Sequence, residues 1–320
     1  MSIVSTSILL ATDGSENSAR ARGLAVELSE ATSAELHVVY VGEDAYSSTL
    51  IYPEALEPGG TTREDPLLLE QLEGQFEQMS RRVLETEAHK VREVGGTVVQ
   101  AHLRMGKAAA EIVDLAEELG VGLLVMGSRG LGGIKRALMG SVSDAVVHHA
   151  HCPVLVVRGG GSGKERLLSM KILLATDGSE DATLAARGAA ELAQETGSEL
   201  HLVHVRPKVT PHQPGYYVGP GVIERAQQKE RVRLERESQR LLDAQVAGVR
   251  SVGCEVARTY LRVGRPDEEI ATQAEEIGAG LIVMGSRGLG GIKRALIGSV
   301  SDSVVRYAHC PVLVVRKDKR

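Results

Sequence analysis

Glycines and serines at a fixed spacing occur twice in the chain. The stretch "GSRGLGGIKRALMGSVSD", residues 127–144, returns with one change as "GSRGLGGIKRALIGSVSD", residues 285–302. Glycine lets an anion approach backbone N–H groups, and a helix N-terminus favours a phosphate. The spacing G-x2-G-x9-G-S therefore predicts a phosphate-binding loop, although the glycine content alone leaves a plain tight turn equally open. The members of this motif are Gly127, Gly130, Gly140 and Ser141 in the first copy and Gly285, Gly288, Gly298 and Ser299 in the second.

The glycine loop differs from two common nucleotide-binding motifs. A Walker A loop needs a lysine directly after its last glycine, whereas Gly133 follows Gly132 and Lys135 is displaced. The dinucleotide fingerprint follows the first strand and needs a third glycine at the position of Lys135, whereas this loop follows the fourth predicted strand. We therefore expect neither P-loop nor dehydrogenase chemistry. In the phosphate-binding interpretation, Gly127, Gly130, Gly132 and Gly133 permit positive φ angles.

Charged residues accompany the loop in both copies. Asp13 and Asp177 follow the first apolar run of each copy, where a carboxylate would bind a ligand or cap the helix that starts near Ser15. Three cations of the first loop, Arg129, Lys135 and Arg136, would neutralise phosphates or remain solvated, and Arg287 stands at the place of Arg129 in the second copy. No residue stands out as a base that activates water, so we assign no catalytic residue. The ligands of a metal stay unknown at this point.

The duplication extends beyond the glycine loop. "ILLATDGSE" begins at residues 8 and 172, and "HCPVLVVR" begins at residues 151 and 309. Between the copies, "GGGSGKERLL" has the composition of a flexible connector. We predict a first domain over residues 1–158, a linker over residues 159–168 and a second domain over residues 169–320, each near the commonest domain size.

Short apolar runs alternate with amphipathic segments of helical period within each copy. Runs such as "LLVM" and "VLVV" are apolar at every position, which is typical of strands buried on both faces, and helical connections favour parallel pairing with right-handed crossovers. Each copy is therefore predicted to be a doubly wound, Rossmann-like α/β domain with a parallel sheet and a ligand edge at the carboxyl ends of its strands. The strands predicted in the first copy are Ser7–Thr12, Glu35–Val41, Thr97–Leu103, Gly122–Gly127 and Pro153–Val157.

Composition disfavours several classes of protein. The 320 residues carry a formal net charge of -5, one Phe and no Trp, which gives no support to a basic nucleic-acid groove with stacking aromatics. The N-terminus lacks the pattern of a signal peptide, and no run of apolar residues is long enough to span a membrane. The three cysteines form no CxxC pair, which fits a reducing compartment. We expect a cytoplasmic protein without nucleic-acid or membrane partners.

Three motifs occur in the same order in both copies: "ATDGS" after the first strand, the glycine loop after the fourth, and the closing "HCPVLVV" strand. Together they resemble the ATP-binding branch of the universal stress protein family over nearly the whole chain. The resemblance implies a nucleotide-responsive regulator of stress tolerance that binds one ATP with Mg²⁺ or Mn²⁺ in each copy. It also implies that the copies pair through their last strands with pseudo-two-fold symmetry, and it allows a homodimer of whole chains.

The same resemblance implies roles for individual residues. Asp13 and Asp177 would contact the adenosine part or the metal, and Ser141 and Ser299 would hold phosphates. The other residues implied are the backbones of Val41 and Val205 beside adenine, Met126 and Met284 near the base, and the amides of Val142 and Val300 on phosphates. Residues 42–65 and 206–220 match no motif of the family. The alternative function is a slow ATPase or autophosphorylating enzyme, whereas a PP-loop enzyme would need paired glycines that "ATDGSENS" lacks.

Overall fold

The computed structural model divides the chain into two compact units, Met1–Arg166 and Leu167–Lys317. The structure describes residues 7–42, 66–130, 139–158, 170–206, 208, 220–289 and 297–317. The predicted linker, residues 159–168, lies outside the described residues, and the predicted domain boundaries therefore stay predictions.

Strands and helices alternate along the first unit in the predicted order. The boundaries are close to those expected from the apolar runs, although β3 extends to Met105 instead of ending at Leu103. Its elements are β1 (Ser7–Ala11), α1 (Glu16–Thr32), β2 (Glu35–Gly42), α2 (Pro66–Glu93), β3 (Val98–Met105), α3 (Ala108–Leu119), β4 (Leu123–Gly127), α4 (Ser141–His149) and β5 (Val154–Val157).

The second unit repeats this order, with a longer helix after its second strand. Helix α6 has 32 residues, whereas α2 has 28. The elements are β6 (Lys171–Ala175), α5 (Glu180–Thr196), β7 (Glu199–Arg206), α6 (Pro220–Ser251), β8 (Val256–Val263), α7 (Pro266–Ile277), β9 (Leu281–Gly285), α8 (Ser299–Tyr307) and β10 (Val312–Val315).

Each unit contains a parallel sheet with the strand order of a doubly wound fold. The order is β3-β2-β1-β4-β5 in the first unit and β8-β7-β6-β9-β10 in the second. Helices α1 and α2 contact each other, and so do α3 and α4, as expected when helices cover both faces of a sheet. The winding reverses between β1 and β4, so the carboxyl ends of these two strands form the edge at which such folds bind ligands. The predicted α/β class is confirmed.

The strands beside this reversal point form the core of the first unit. Every residue of β1 is buried, and Leu123 to Met126 of β4 are buried as well. Burial on both faces explains why the sequence is apolar at consecutive positions instead of alternating. The sheet therefore gives the loops at its carboxyl edge a closely packed support.

Among the helices that the structure describes, none combines the length and the apolar character needed to cross a lipid bilayer.

A pair of histidines joins β2 to β3 in the first unit. His37 Nδ1 lies 3.2 Å from His102 Nε2. Partial burial lowers the pKa of His102 below its ordinary value, and the nearby His37 and Arg104 lower this pKa further, whereas Glu118 opposes them. Protonation of His102 is therefore less favourable in the folded chain than in the unfolded chain.

The lowered pKa of His102 predicts a loss of stability in mild acid. As the pH falls below the ordinary histidine pKa of about 6.5, the unfolded state binds a proton that the folded state takes up only at lower pH, so unfolding becomes easier. The second unit supplies a matched replacement for His102, because Tyr260 stands at the corresponding position of β8. Its hydroxyl oxygen lies 3.3 Å from His201 Nδ1. We expect His102→Tyr to show a smaller fall in Tm between pH 7.5 and 5 than the wild type in scanning calorimetry. Equal falls would contradict this assignment.

Candidate functional site

A cavity opens at the carboxyl edge of each sheet, beside the point where the winding reverses. Its volume is about 680 Å³ in the first unit and about 540 Å³ in the second. In the first unit it is lined by the ends of β1, β2 and β4, by the starts of α3 and α4, and by one side of α2. Volumes of this size are typical of small-molecule and cofactor sites.

The turn after β1 holds an acidic side chain at the edge of the cavity. Gly14 has a φ angle of +80°, which glycine adopts without strain and which lets the chain turn sharply between Asp13 and Ser15. The backbone N–H of Ser15 donates to Asp13 Oδ1 at 3.0 Å, and the N–H of Ser18 donates to Ser15 Oγ at 3.3 Å. Ser15 is therefore the N-cap of α1. The interpretation of Asp13 as the cap is wrong, because its carboxylate accepts from the turn instead.

The glycines after β4 are needed for close approach to the β1 turn. A Cβ atom on Gly130 would lie 2.3 Å from Asp13 Oδ2, and one on Gly127 would lie 2.9 Å from the backbone carbonyl carbon of Asn17. Gly127 and Gly130 are not among the positive-φ residues of the chain, so the expected use of that freedom is wrong at these two positions. Space, and not backbone angle, requires glycine here. Gly132 and Gly133 lie outside the described residues.

The second unit shows how the acidic side chain fixes the glycine loop. The backbone N–H of Leu289 donates to Asp177 Oδ2 at 2.8 Å, and that of Ser179 donates to Asp177 Oδ1 at 3.0 Å. One carboxylate thus connects the β6 turn to the loop that follows β9. A Cβ on Gly288 would lie 2.4 Å from the same Oδ2. The carboxylate therefore brings backbone N–H groups of two loops to one edge of the cavity.

The loop returns to the sheet at the start of α4. Gly140 N donates to Ser128 O at 2.8 Å, and Ser143 Oγ donates to the same carbonyl at 2.8 Å. Gly140 occupies the N-cap position, and no side chain in the described part of the chain caps α4 through a hydrogen bond, unlike the serine-capped α1. Gly298 and α8 repeat this arrangement. A helix start that lines a cavity and has no side-chain cap favours an anionic ligand.

The predicted binding residues that the structure describes all line the two cavities. Their role in binding stays a prediction, and Lys135 and Arg136 lie outside the described residues. The first cavity contains Asp13, Val41, Met126, Gly127, Arg129, Gly130, Gly140, Ser141 and Val142. The second contains Asp177, Val205, Met284, Gly285, Arg287, Gly288, Gly298, Ser299 and Val300.

Sequence reasoning missed the residues that α2 contributes. Phe76, Met79 and Ser80 line the first cavity, and their spacing of three and four places them on one side of the helix. That spacing was the available signal. Sequence reasoning also missed Thr12, a residue that is 7 % exposed and lines the cavity. Thr12 lies within the repeated "ATDGS", but a hydroxyl in a turn has many structural uses and indicates no particular role.

Comparison with known sequences identifies the origin of this arrangement. The sequence profile described as "Universal stress protein family" matches residues 5–158 and again residues 169–316. The chain belongs to the universal stress protein family. This tandem universal stress protein is 32 % identical over 224 residues to a universal stress protein of Mycolicibacterium smegmatis, a match that covers 70 % of this chain and 71 % of the relative.

Shorter relatives match one half of this universal stress protein. Universal stress protein YxiE of Bacillus subtilis is 35 % identical over 153 residues, which are 47 % of this chain and 97 % of the relative. Among solved structures, a universal stress protein from Archaeoglobus fulgidus superposes with a TM-score of 0.65 at 24 % identity and covers 99 % of this chain and 98 % of its own. At that identity the structural likeness supports the fold alone.

Proposed function

We propose that this universal stress protein binds one ATP in each unit and acts as a nucleotide-responsive regulator. The observation that carries the proposal is the meeting of three features around one cavity: the acidic turn after the first strand, the glycine loop, and a helix start without a side-chain cap. The first provides a carboxylate for a ribose or a metal-bound water, and the other two provide space and N–H donors for phosphates. The second cavity has the same three features.

The residues present fit an adenine nucleotide. In the first unit, Val41 and Met126 line the cavity at the ends of β2 and β4, where an adenine ring would lie, and Ser141 and Val142 line it at the start of α4, where phosphates would lie. The clash that a Cβ on Gly130 would make with Asp13 shows how little space separates the loop from the turn. Mg²⁺ accompanying ATP takes most of its ligands from phosphates and water, so a site with few carboxylates suits it.

A regulator fits the first cavity better than the alternative, a slow ATPase or autophosphorylating enzyme. Asp13 is the single carboxylate among the described residues that line that cavity, and it already accepts a hydrogen bond from Ser15 N. A carboxylate used to hold a turn is poorly placed to orient an attacking water.

A cytoplasmic location and homodimer formation belong to the same proposal, and they rest on the sequence patterns and the family resemblance.

The proposal predicts a stoichiometry that can be counted. We expect the purified protein to release adenine nucleotide when it is denatured, and chromatography identifies and counts this nucleotide. Protein stripped of nucleotide should bind about two equivalents of ATP with Mg²⁺ in calorimetry. Bound ADP that forms from added ATP during incubation would favour the slow ATPase. Absence of nucleotide in the preparation together with absence of ATP binding would leave the fold standing and overturn the proposed function.

A further inference from the structure

The two cavities differ in charge beside the glycine loop. In the second unit the carboxylate of Asp181 is buried, with 6 % of the side chain exposed. Its Oδ2 accepts from Ser286 Oγ at 2.8 Å and from Arg287 Nε at 3.1 Å. The corresponding residue of the first unit is Asn17, and within the described ranges no carboxylate forms an ion pair with Arg129. Among the described residues, this arginine therefore has a carboxylate partner in the second unit only.

The backbone around these residues is alike in both units. A Cβ on Gly127 would lie 2.9 Å from the carbonyl carbon of Asn17, and one on Gly285 would lie 2.7 Å from that of Asp181. The helix starts therefore approach their glycine loops equally closely. The side chains of Asn17 and Asp181 therefore leave the backbone at equivalent positions, so the difference between the units is mainly one of charge.

We propose that residues 17 and 181 set how strongly each cavity selects ligands with several phosphates. The proposal rests on the proposed function, because it takes the ligand to be an adenine nucleotide. In the first unit the guanidinium of Arg129 keeps its full charge for a polyphosphate. In the second unit the buried carboxylate of Asp181 pairs with Arg287, so the pair carries no net charge to attract a polyphosphate.

The first cavity therefore favours ATP over ADP and AMP, whereas the second binds the three nucleotides with similar affinity. Two further charged residues line the second cavity, Arg206 at the end of β7 and Glu237 on α6. They have opposite signs, so together they add no net charge that would offset Asp181. Lys317 also lies near Asp181, but it is exposed and its Nζ pairs with Glu180 Oε1 at 2.9 Å, so solvent screens its charge. The ion pair of Asp181 with Arg287 is therefore the main difference in charge beside the two glycine loops.

Calorimetry of the full chain with ATP, ADP, AMP and adenosine tests the proposal. Gly288→Val isolates the first site and Gly130→Val isolates the second, each shown by a stoichiometry of one. We expect affinity at the first site to rise about tenfold or more from AMP to ATP, and affinity at the second to change by less than about threefold. Equal profiles at the two sites would overturn the proposal while leaving the proposed function intact. Failure of the wild-type chain to bind any of these compounds would overturn both.

An exchange of the two side chains separates charge from position. Asn17→Asp is expected to weaken ATP binding at the first site about tenfold, and Asp181→Asn to strengthen it at the second by a similar factor. Adenosine binding should stay unchanged in both variants, whereas a variant that disturbed the structure of the site would change adenosine binding as well. If the valine variants fail to isolate the sites, Asn17→Asp and Asp181→Asn are each tested in the otherwise wild-type chain, where the same changes in ATP affinity are expected. Weaker ATP binding by Asp181→Asn would show that Asp181 positions Arg287 for phosphate, and would overturn the proposal.

Discussion

Replacing Gly130 by valine is expected to abolish ATP binding in the first unit while the unit stays folded. The new Cβ would lie 2.3 Å from Asp13 Oδ2. Because the nearest atoms belong to a side chain at the cavity edge, the clash displaces the carboxylate and the loop without entering the core. We expect Kd to rise by about a hundredfold or more, equal to about 3 kcal/mol of binding free energy. In titrations with Mg²⁺ and ATP, Gly130→Val and Gly288→Val should each lower the stoichiometry from two to one, and the double variant should bind none.

Two other glycines show that the expected effect is specific to this position. Gly23 lies within α1 and has no atom within 4 Å of the place where a Cβ would lie. Gly23→Ala should leave ATP binding unchanged and stabilise the chain by about 0.5–1 kcal/mol, because alanine favours a helix. At Gly127 the nearest atom is backbone of Asn17, so a substitution there would disturb folding as well as binding. Normal ATP binding by the double variant Gly130→Val, Gly288→Val would show that the glycine loops are turns only.

The sequence was sufficient for the fold because burial dictates its pattern. Strands enclosed on both faces must be apolar at successive positions, as Leu123 to Met126 are, and such runs have few other interpretations when helices separate them. The boundaries followed for the same reason, apart from short extensions such as that of β3 to Met105. At the edge strand β3 the apolar rule no longer applies, because every residue from Val98 to Met105 is exposed or half-buried.

The candidate site was predictable only in part, because its side-chain pairs join distant positions. The repeated motifs placed Asp13 and Gly130 at one edge of the sheet. They gave no sign that the two lie so close, so the sequence predicts glycine here for backbone freedom and for the approach of an anion, and not for the space that Asp13 takes. Asp181 and Arg287 are 106 residues apart, and no local spacing predicts such a pair. Only the register of strands and helices in the folded unit brings these residues together.

Glu87 provides the second large effect that we expect. Its side chain is 2 % exposed, and its Oε2 accepts from Arg22 Nη1 at 2.8 Å and from Thr12 Oγ1 at 2.9 Å. Lys90 Nζ approaches Oε1 at 2.7 Å. Glu87→Ala leaves Arg22, which is 13 % exposed, without its carboxylate. Loss of one partner from a buried ion pair costs about 3 kcal/mol, so we expect hydrogen exchange measured by mass spectrometry to accelerate throughout the first unit.

The second unit supplies the control for Glu87, because Gln245 and Ala186 stand where the first unit has Glu87 and Arg22. Gln245→Ala should lower stability by only about 1 kcal/mol. The double variant Glu87→Gln, Arg22→Ala should be more stable than Glu87→Gln alone, since it leaves no buried guanidinium unpaired. A double variant that is less stable would contradict this account.

Glu87 also orders the turn that carries Asp13, because Thr12 Oγ1, which donates to Glu87, accepts from Gly14 N at 3.3 Å. Glu87→Gln should therefore also weaken ATP binding in the first unit, while the second unit keeps its affinity.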